Sequence, residues 1–203
     1  TKMTEQKMNS DFAILYRTNS QSRSLEEALR KLNLPYRIYG GTSFYQRKEI
    51  KDILAYLRLV LNHNDEEALK RIVNYPARGI GKTSMDRVAQ IAATYDKSMW
   101  EVIENAHQFP ELKSAISKLR DFVNMIQSFT ILKDQQNTYD IAMHVSRSVN
   151  LLKLLNEDKT IEGISKYENV VEMLNSMKEF VEDDTNESEK DLGSYMKDIA
   201  LLT

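Results

Sequence analysis

Apolar side chains recur at intervals of three and four residues along most of this sequence, which is the spacing of amphipathic α-helices. The clearest stripe, formed by Ile50, Ile53, Leu57 and Leu61, predicts a helix over residues 46–61. The same spacing predicts nine further helices, over residues 20–32, 65–73, 84–95, 98–106, 111–132, 139–149, 151–155, 161–181 and 192–202. The pattern therefore predicts a mainly α fold.

Two short segments close to the start of the chain have the pattern of strands instead. Residues 11–16 form a nearly continuous apolar run, and residues 35–39 form a second short segment that ends at Gly40-Gly41. With the helix between them, these segments predict a strand-helix-strand unit. Because two strands are too few for a stable sheet, we expect residues 1–43 to be a small α/β piece of a larger domain and residues 44–203 to form a helical domain.

A glycine turn separates two of the predicted helices. It runs from Ala77 to Ser84 and reads Ala-Arg-Gly-Ile-Gly-Lys-Thr-Ser. Glycine permits a positive φ and the close approach of another backbone, and we expect Gly81 to use this freedom. The following helix begins with free N–H groups, a lysine and a hydroxyl, which suit a phosphate. These features favour a helix-hairpin-helix contact to a nucleic-acid backbone, and a glycine cap between two packed helices is the alternative.

A nucleotide-binding loop is a different interpretation of the same residues. Gly81-Lys82-Thr83 matches the end of a Walker-type loop, but that motif requires a glycine five positions before Gly81, where this chain has Pro76. The motif also requires a buried strand in front, and residues 71–74 are too few and too polar to form one. The sequence therefore predicts that this turn does not bind ATP.

Charge is distributed unevenly along the 203 residues. Residues 1–100 carry a net charge of +6 and residues 101–203 carry −8, although the whole chain carries only −2. The basic half is therefore the candidate for binding an anionic partner. The absence of cysteine excludes disulfide bonds and thiolate metal sites and fits a reducing compartment. The three histidines are scattered, which argues against a metal site, and no apolar run is long enough to cross a membrane.

Three runs, from Phe12 to Arg23, from Gly40 to Arg58 and from Asn74 to Gly81, stand in order and at family spacing. Together they resemble motifs of superfamily 1A DNA helicases of the UvrD/PcrA/Rep type. The run from Phe12 to Arg23 is similar to the motif that opens the distinctive part of the second RecA-like domain, 2A. The run from Gly40 to Arg58 is similar to the signature at the junction of domains 2A and 2B. The run from Asn74 to Gly81 is similar to the glycine motif of domain 2B. The resemblance implies that residues 1–43 are a fragment of 2A and that residues 44–203 are domain 2B.

The resemblance also implies a function and a set of contact residues. The parent protein would be an ATP-dependent 3′-to-5′ DNA helicase of repair or replication, in the bacterial cytoplasm and associated with the nucleoid. The strand-end motif of 2A would contact single-stranded DNA through Arg17, Thr18 and Asn19. The 2B glycine motif would contact the duplex ahead of the fork and regulate unwinding; its residues are Arg78, Gly79, Ile80, Gly81, Lys82, Thr83 and Ser84.

The expected cofactors and partners follow from the same resemblance. ATP and magnesium would bind the parent helicase outside this chain, so we expect this part to bind no cofactor or metal and to be inactive alone. Its partners would be a junction of single-stranded and duplex DNA, bound without sequence preference, and the helicase domains 1A, 1B and the rest of 2A, with no membrane. The residues by themselves leave an alternative, a stand-alone helix-hairpin-helix or protein-interaction module without a motor.

Overall fold

A computed structural model describes residues 8–184 and 189–202, which form a helical assembly around one long buried helix. Its α-helices are α1 (Ser22–Lys31), α2 (Lys48–Leu61), α3 (Glu66–Ile72), α4 (Lys82–Tyr95), α5 (Met99–Glu104), α6 (Ile116–Leu132), α7 (Thr138–Ser148), α8 (Leu151–Glu157), α9 (Ile161–Glu182) and α10 (Leu192–Leu202). Short 3₁₀ turns lie at Asn9–Asp11, Asn19–Gln21, Phe44–Gln46, Ala106–Gln108 and Pro110–Leu112. The prediction of a mainly α fold is confirmed.

Helix α2 is the centre of the core. Its side chains are buried on nearly every side, and Ile50, Ile53, Tyr56 and Leu57 have no exposed surface. Helices α3, α6, α9 and α10 pack around it. A helix that is apolar on most of its surface is stable only when neighbours cover it, so α2 fixes the positions of the elements that carry the glycine turn.

The predicted helices are present, with differences at their ends. Helix α4 begins at Lys82 rather than at residue 84, so that Lys82 and Thr83 form its first turn. Helix α6 begins at Ile116 rather than at residue 111, because the chain first makes the 3₁₀ turn Pro110–Leu112. Proline suits the first position of such a turn, since it has no N–H to leave unpaired.

The two predicted strands are wrong for the described residues. Neither residues 11–16 nor residues 35–39 form a strand, although Phe12 has an extended backbone. Strands need neighbours to accept and donate ladder hydrogen bonds, and the described part of the chain offers none. The apolar side chains remain exposed, with Leu15 at 94% and Ile14 at 53% of their full surface.

Charged and polar contacts attach α1 to the helical body. Arg23 is only 5% exposed, and its guanidinium donates to Glu172 and Glu179 of α9 at 2.8 Å each. The buried Glu26 carboxylate accepts the backbone N–H of Phe44 at 3.0 Å. A buried charge is tolerated only when it is paired, so these contacts determine how α1 docks on α9 and on the approach to α2.

No helix among the described residues combines the length and apolar character that crossing a bilayer requires.

Candidate nucleic-acid interface

The loop between α3 and α4 is held in shape by the side chain of Asn74. Its Oδ1 accepts the backbone N–H of Arg78 at 2.9 Å and that of Ile80 at 3.1 Å. Asparagine commonly organises a turn in this way. Ile80 is 1% exposed and anchors the middle of the glycine turn in the core. The two glycines that flank it, Gly79 and Gly81, are exposed.

Arg78 points into the loop rather than away from it. Its Nη1 donates to the carbonyls of Ile72 at 3.0 Å and Pro76 at 3.2 Å, and its Nη2 donates to the hydroxyl of Tyr56 at 2.5 Å. The guanidinium also lies 5.7 Å from the ring centre of Tyr56 and 5.6 Å from that of Phe122. Cation–π contacts of this kind favour arginine. Arg78 therefore ties the loop to α2 and α6.

Tyr56 completes this support from within the core. Its hydroxyl donates to the carbonyl of Tyr75 at 2.5 Å while it accepts from Arg78. Burial raises the pKa of Tyr56 to about 12, against the opposing effect of the Arg78 charge. The phenol therefore stays neutral and can fill both hydrogen-bonding roles at once.

The two glycines have different backbone conformations, and the prediction for Gly81 is wrong. Gly79 has a φ of +72°, in the left-handed region that favours glycine. Gly81 has a φ of −80° and a ψ of 170°, the extended conformation of an N-cap residue, which any residue can adopt. A Cβ added to Gly81 would meet nothing within 4 Å. The sharp bend thus occurs at Gly79, and Gly81 starts the helix.

The first turn of α4 offers donors to solvent. Gly81, Lys82 and Thr83 are exposed and Ser84 is half-buried. The N–H of Ser84 bonds to the Gly81 carbonyl at 3.0 Å, whereas those of Lys82 and Thr83 have no acceptor among the described residues. Together with the positive end of the 14-residue helix dipole, these groups suit an anion.

Two basic residues that the sequence analysis missed lie at this turn or on the helix that follows it. The Lys118 Nζ, from the first turn of α6, donates to the carbonyl of Gly79 at 3.0 Å. The Arg87 Nη1, from α4, donates to the carbonyl of Glu111 at 3.0 Å and so links α4 to the approach to α6. Lys118 is 39 residues away from Gly79 in sequence, and no local spacing connects them. The uneven charge of the chain did not indicate Lys118 either, because this lysine belongs to the acidic half, residues 101–203.

The second predicted group, residues 17–19, lies elsewhere, against α9 and the start of α2. The backbone N–H groups of Arg17 and Thr18 donate to Gln21 Oε1 at 2.9 and 3.1 Å. The Asn19 side chain donates to Ser165 at 3.3 Å, and its carbonyl accepts from Arg47 at 2.7 Å. Arg17 is exposed. Among the described residues, no hydrogen bond joins this group to the glycine turn, and the two groups bond to different partners.

The family model of the UvrD-like helicase C-terminal domain matches residues 1–203, and the chain belongs to this family.

Similar proteins are bacterial helicases. The ATP-dependent DNA helicase PcrA of Bacillus subtilis (strain 168) is 40% identical over 193 residues, which cover 95% of this chain and 26% of that protein. PcrA of Staphylococcus aureus (strain Mu50) is 37% identical over 194 residues, again covering 95% and 26%. DNA helicase II of Salmonella typhimurium (strain LT2) is 37% identical over 195 residues, covering 93% and 26%. The chain thus spans about a quarter of the length of these relatives.

Proposed function

We propose that this chain is the DNA-contacting accessory region of an ATP-dependent 3′-to-5′ DNA helicase, with residues 1–43 belonging to domain 2A and residues 44–203 forming domain 2B. Family membership and the printed names of the relatives support this assignment. The observation that carries it is the glycine turn, where an exposed helix N-terminus and Lys82 face solvent on a rigid support. ATP and magnesium would act in other parts of the parent protein, since Pro76 stands where a Walker loop needs glycine.

The glycine turn would bind the phosphate backbone of duplex DNA. The N–H groups of Lys82 and Thr83, with the Lys82 ammonium and the Thr83 and Ser84 hydroxyls, supply donors to phosphate oxygens. Gly79 and Gly81 let the DNA backbone come close, and Ile80 anchors the turn. Such contacts do not read bases, so binding would be independent of sequence. Arg78 has an indirect part here, because its guanidinium is engaged inside the loop.

Residues 17–19 would form a second contact, to single-stranded DNA. Arg17 is the residue best placed for it, since its side chain is exposed and has no ion-pair partner among the described residues. Thr18 and Asn19 already bond within the chain and would hold the segment in place. With one contact to single strand and another to duplex, the region would hold a junction and so regulate unwinding.

The exposed apolar residues before this segment fit a contact with the remaining helicase domains. Phe12, Ile14, Leu15 and Tyr16 expose between 38% and 94% of their surface on one short segment. A soluble protein seldom leaves such a run in water. We therefore assign them to the packing of the rest of domain 2A, with domains 1A and 1B as the further partners in the parent protein.

The test is binding of a fluorescein-labelled hairpin duplex to the 203-residue chain, followed by fluorescence anisotropy. We expect weak binding without sequence preference, lowered by Lys82→Ala to the same extent on different duplexes, because a phosphate contact carries no base information. The matched control is Lys153→Ala, an exposed lysine on α8, which packs on α7 and α9. If Lys82→Ala binds as tightly as the unaltered chain while both remain folded, the turn is only a packing element and the proposal fails.

A further inference from the structure

The side chain of Lys118 lies directly against Gly79. A Cβ built on Gly79 would lie 2.7 Å from the Lys118 Nζ and 3.2 Å from its Cε. The missing side chain at Gly79 therefore makes room for this ammonium as well as permitting the positive φ. The result is a lysine from α6 held directly on the bend of the turn.

The positive charges around the turn are oriented but not neutralised. Among the described residues, no carboxylate lies within ion-pair distance of Arg78, Lys82, Arg87 or Lys118, although Asp86 and Asp121 share their helices. Three of these cations are instead held by carbonyl oxygens, which are neutral acceptors.

Several basic residues elsewhere in the described chain are neutralised by carboxylates instead. Arg23, Arg58 and Arg71 each bond to a carboxylate at 3.1 Å or less. A group of cations without carboxylate partners creates a local positive potential, and that potential favours a polyanion.

We propose that Lys118 binds a second backbone phosphate beside the one at the start of α4, so that the duplex-binding surface is built from two helices. This inference rests on the proposed function. An ammonium has three N–H donors, and the carbonyl of Gly79 uses one, which leaves two for phosphate oxygens. Because the contact to Gly79 already fixes the position of Nζ, little further ordering of the side chain is needed on binding.

The size of the effect follows from counterion release. Each phosphate contact on duplex DNA adds about −0.9 to the slope of log affinity against log salt. If the contact contributes nothing at about 1 M salt, its loss should weaken binding about 15-fold at about 50 mM and about 4-fold at about 200 mM. This dependence on salt separates a charge contact from a purely structural role, which would weaken binding equally at both concentrations.

The experiment measures the binding of the same hairpin duplex by Lys118→Gln, Lys118→Arg and Lys153→Gln at several salt concentrations. Glutamine retains an N–H donor but no charge, and arginine retains the charge. We expect Lys118→Gln to make the negative slope shallower by about 0.9. Lys118→Arg and Lys153→Gln should keep the slope of the unaltered chain. Thermal unfolding of each variant shows whether the fold is intact, and Lys118→Arg keeps the test decisive if glutamine disturbs the turn.

The outcomes for the two proposals are distinguishable. If Lys82→Ala weakens binding but Lys118→Gln leaves affinity and slope unchanged, the second phosphate contact is refuted and the proposed function stands. If Lys118→Gln weakens binding equally at all salt concentrations, Lys118 only supports the turn and the inference is again refuted. If the unaltered chain shows no salt-dependent binding to duplex DNA, the proposed function itself fails.

Discussion

Substitutions at Gly79 and at Gly81 should change the stability of the protein in opposite directions, although the two glycines lie two residues apart in the same motif. Gly79→Ala places a Cβ on a backbone with a φ of +72° and 2.7 Å from the Lys118 Nζ. Gly81→Ser places a hydroxyl at an N-cap with a φ of −80°, where no atom lies within 4 Å of the new Cβ. The first change strains the turn, and the second supplies an ordinary helix cap.

The magnitudes can be estimated for each site. A non-glycine residue in the left-handed region costs about 1–2 kcal/mol, and loss of the exposed hydrogen bond from Lys118 adds about 0.5–1 kcal/mol. Gly79→Ala should therefore destabilise the protein by about 2 kcal/mol, a fall in Tm of about 4–8 °C for a chain of this size. Gly81→Ser should add a few tenths of a kcal/mol from the cap and about 0.4–1 kcal/mol from a less flexible unfolded state.

Thermal unfolding followed by circular dichroism at the helical band measures both changes. Gly40→Ala is a useful comparison for the strain alone, because Gly40 has a φ of +80° but nothing within 4 Å of an added Cβ. Gly79→Ala should lower the Tm more than Gly40→Ala does. If both turn variants shift the Tm in the same direction by similar amounts, the assignment of the bend to Gly79 is refuted.

Two further substitutions test the support of the turn and a half-buried histidine. Arg78→Lys keeps the charge but loses the planar group that bonds to two carbonyls and to Tyr56. We therefore expect the free energy of unfolding, measured in urea, to fall by about 1–3 kcal/mol. An unchanged midpoint would contradict this role of Arg78. Burial lowers the pKa of His63, whose ring stacks on Trp100 at 4.2 Å. The folded state therefore binds this proton less readily than the unfolded state, and stability falls as pH drops below the ordinary histidine pKa of about 6.5. His63→Gln should remove that part of the acid sensitivity. Urea unfolding across this pH range measures it, and a parallel loss of stability in both proteins would contradict the prediction.

The sequence predicted the helical architecture well because helices are local. The stripe through Ile50, Ile53 and Leu57 is a property of neighbouring residues, and the structure buries all three in α2. The apolar run at residues 11–16 also carries a local signal, but a strand is completed by partners that the described residues do not contain. Periodicity reports which side chains avoid water, and it does not report whether a neighbouring strand is present to pair with them.

The details of the candidate site depended on contacts that no local pattern encodes. The composition of the turn indicated an anion-binding hairpin, but two glycines at this spacing give no indication of which one takes the positive φ. The positive φ falls at Gly79, in the part of the loop that Asn74 organises. The Oδ1 of Asn74 accepts the N–H groups of Arg78 and Ile80, and these bonds fix the loop before Gly81. The direction of Arg78 depends on Tyr56 and Phe122, which lie 22 and 44 residues away in sequence. Composition alone could not separate a phosphate ligand from an internal brace.

The bonds inside the loop bear directly on how such a surface would bind DNA. Contacts to phosphates are individually weak, and ordering a flexible loop on binding would consume much of their free energy. Here Asn74 bonds two backbone N–H groups, Arg78 connects the loop to two helices, and Ile80 is buried, all before any ligand arrives. The exposed donors of Lys82 and Thr83 are thus presented by a turn that is already ordered. A preformed surface that contacts only the backbone suits a duplex whose sequence changes as a helicase advances, because the same groups would be released and bound again at each step.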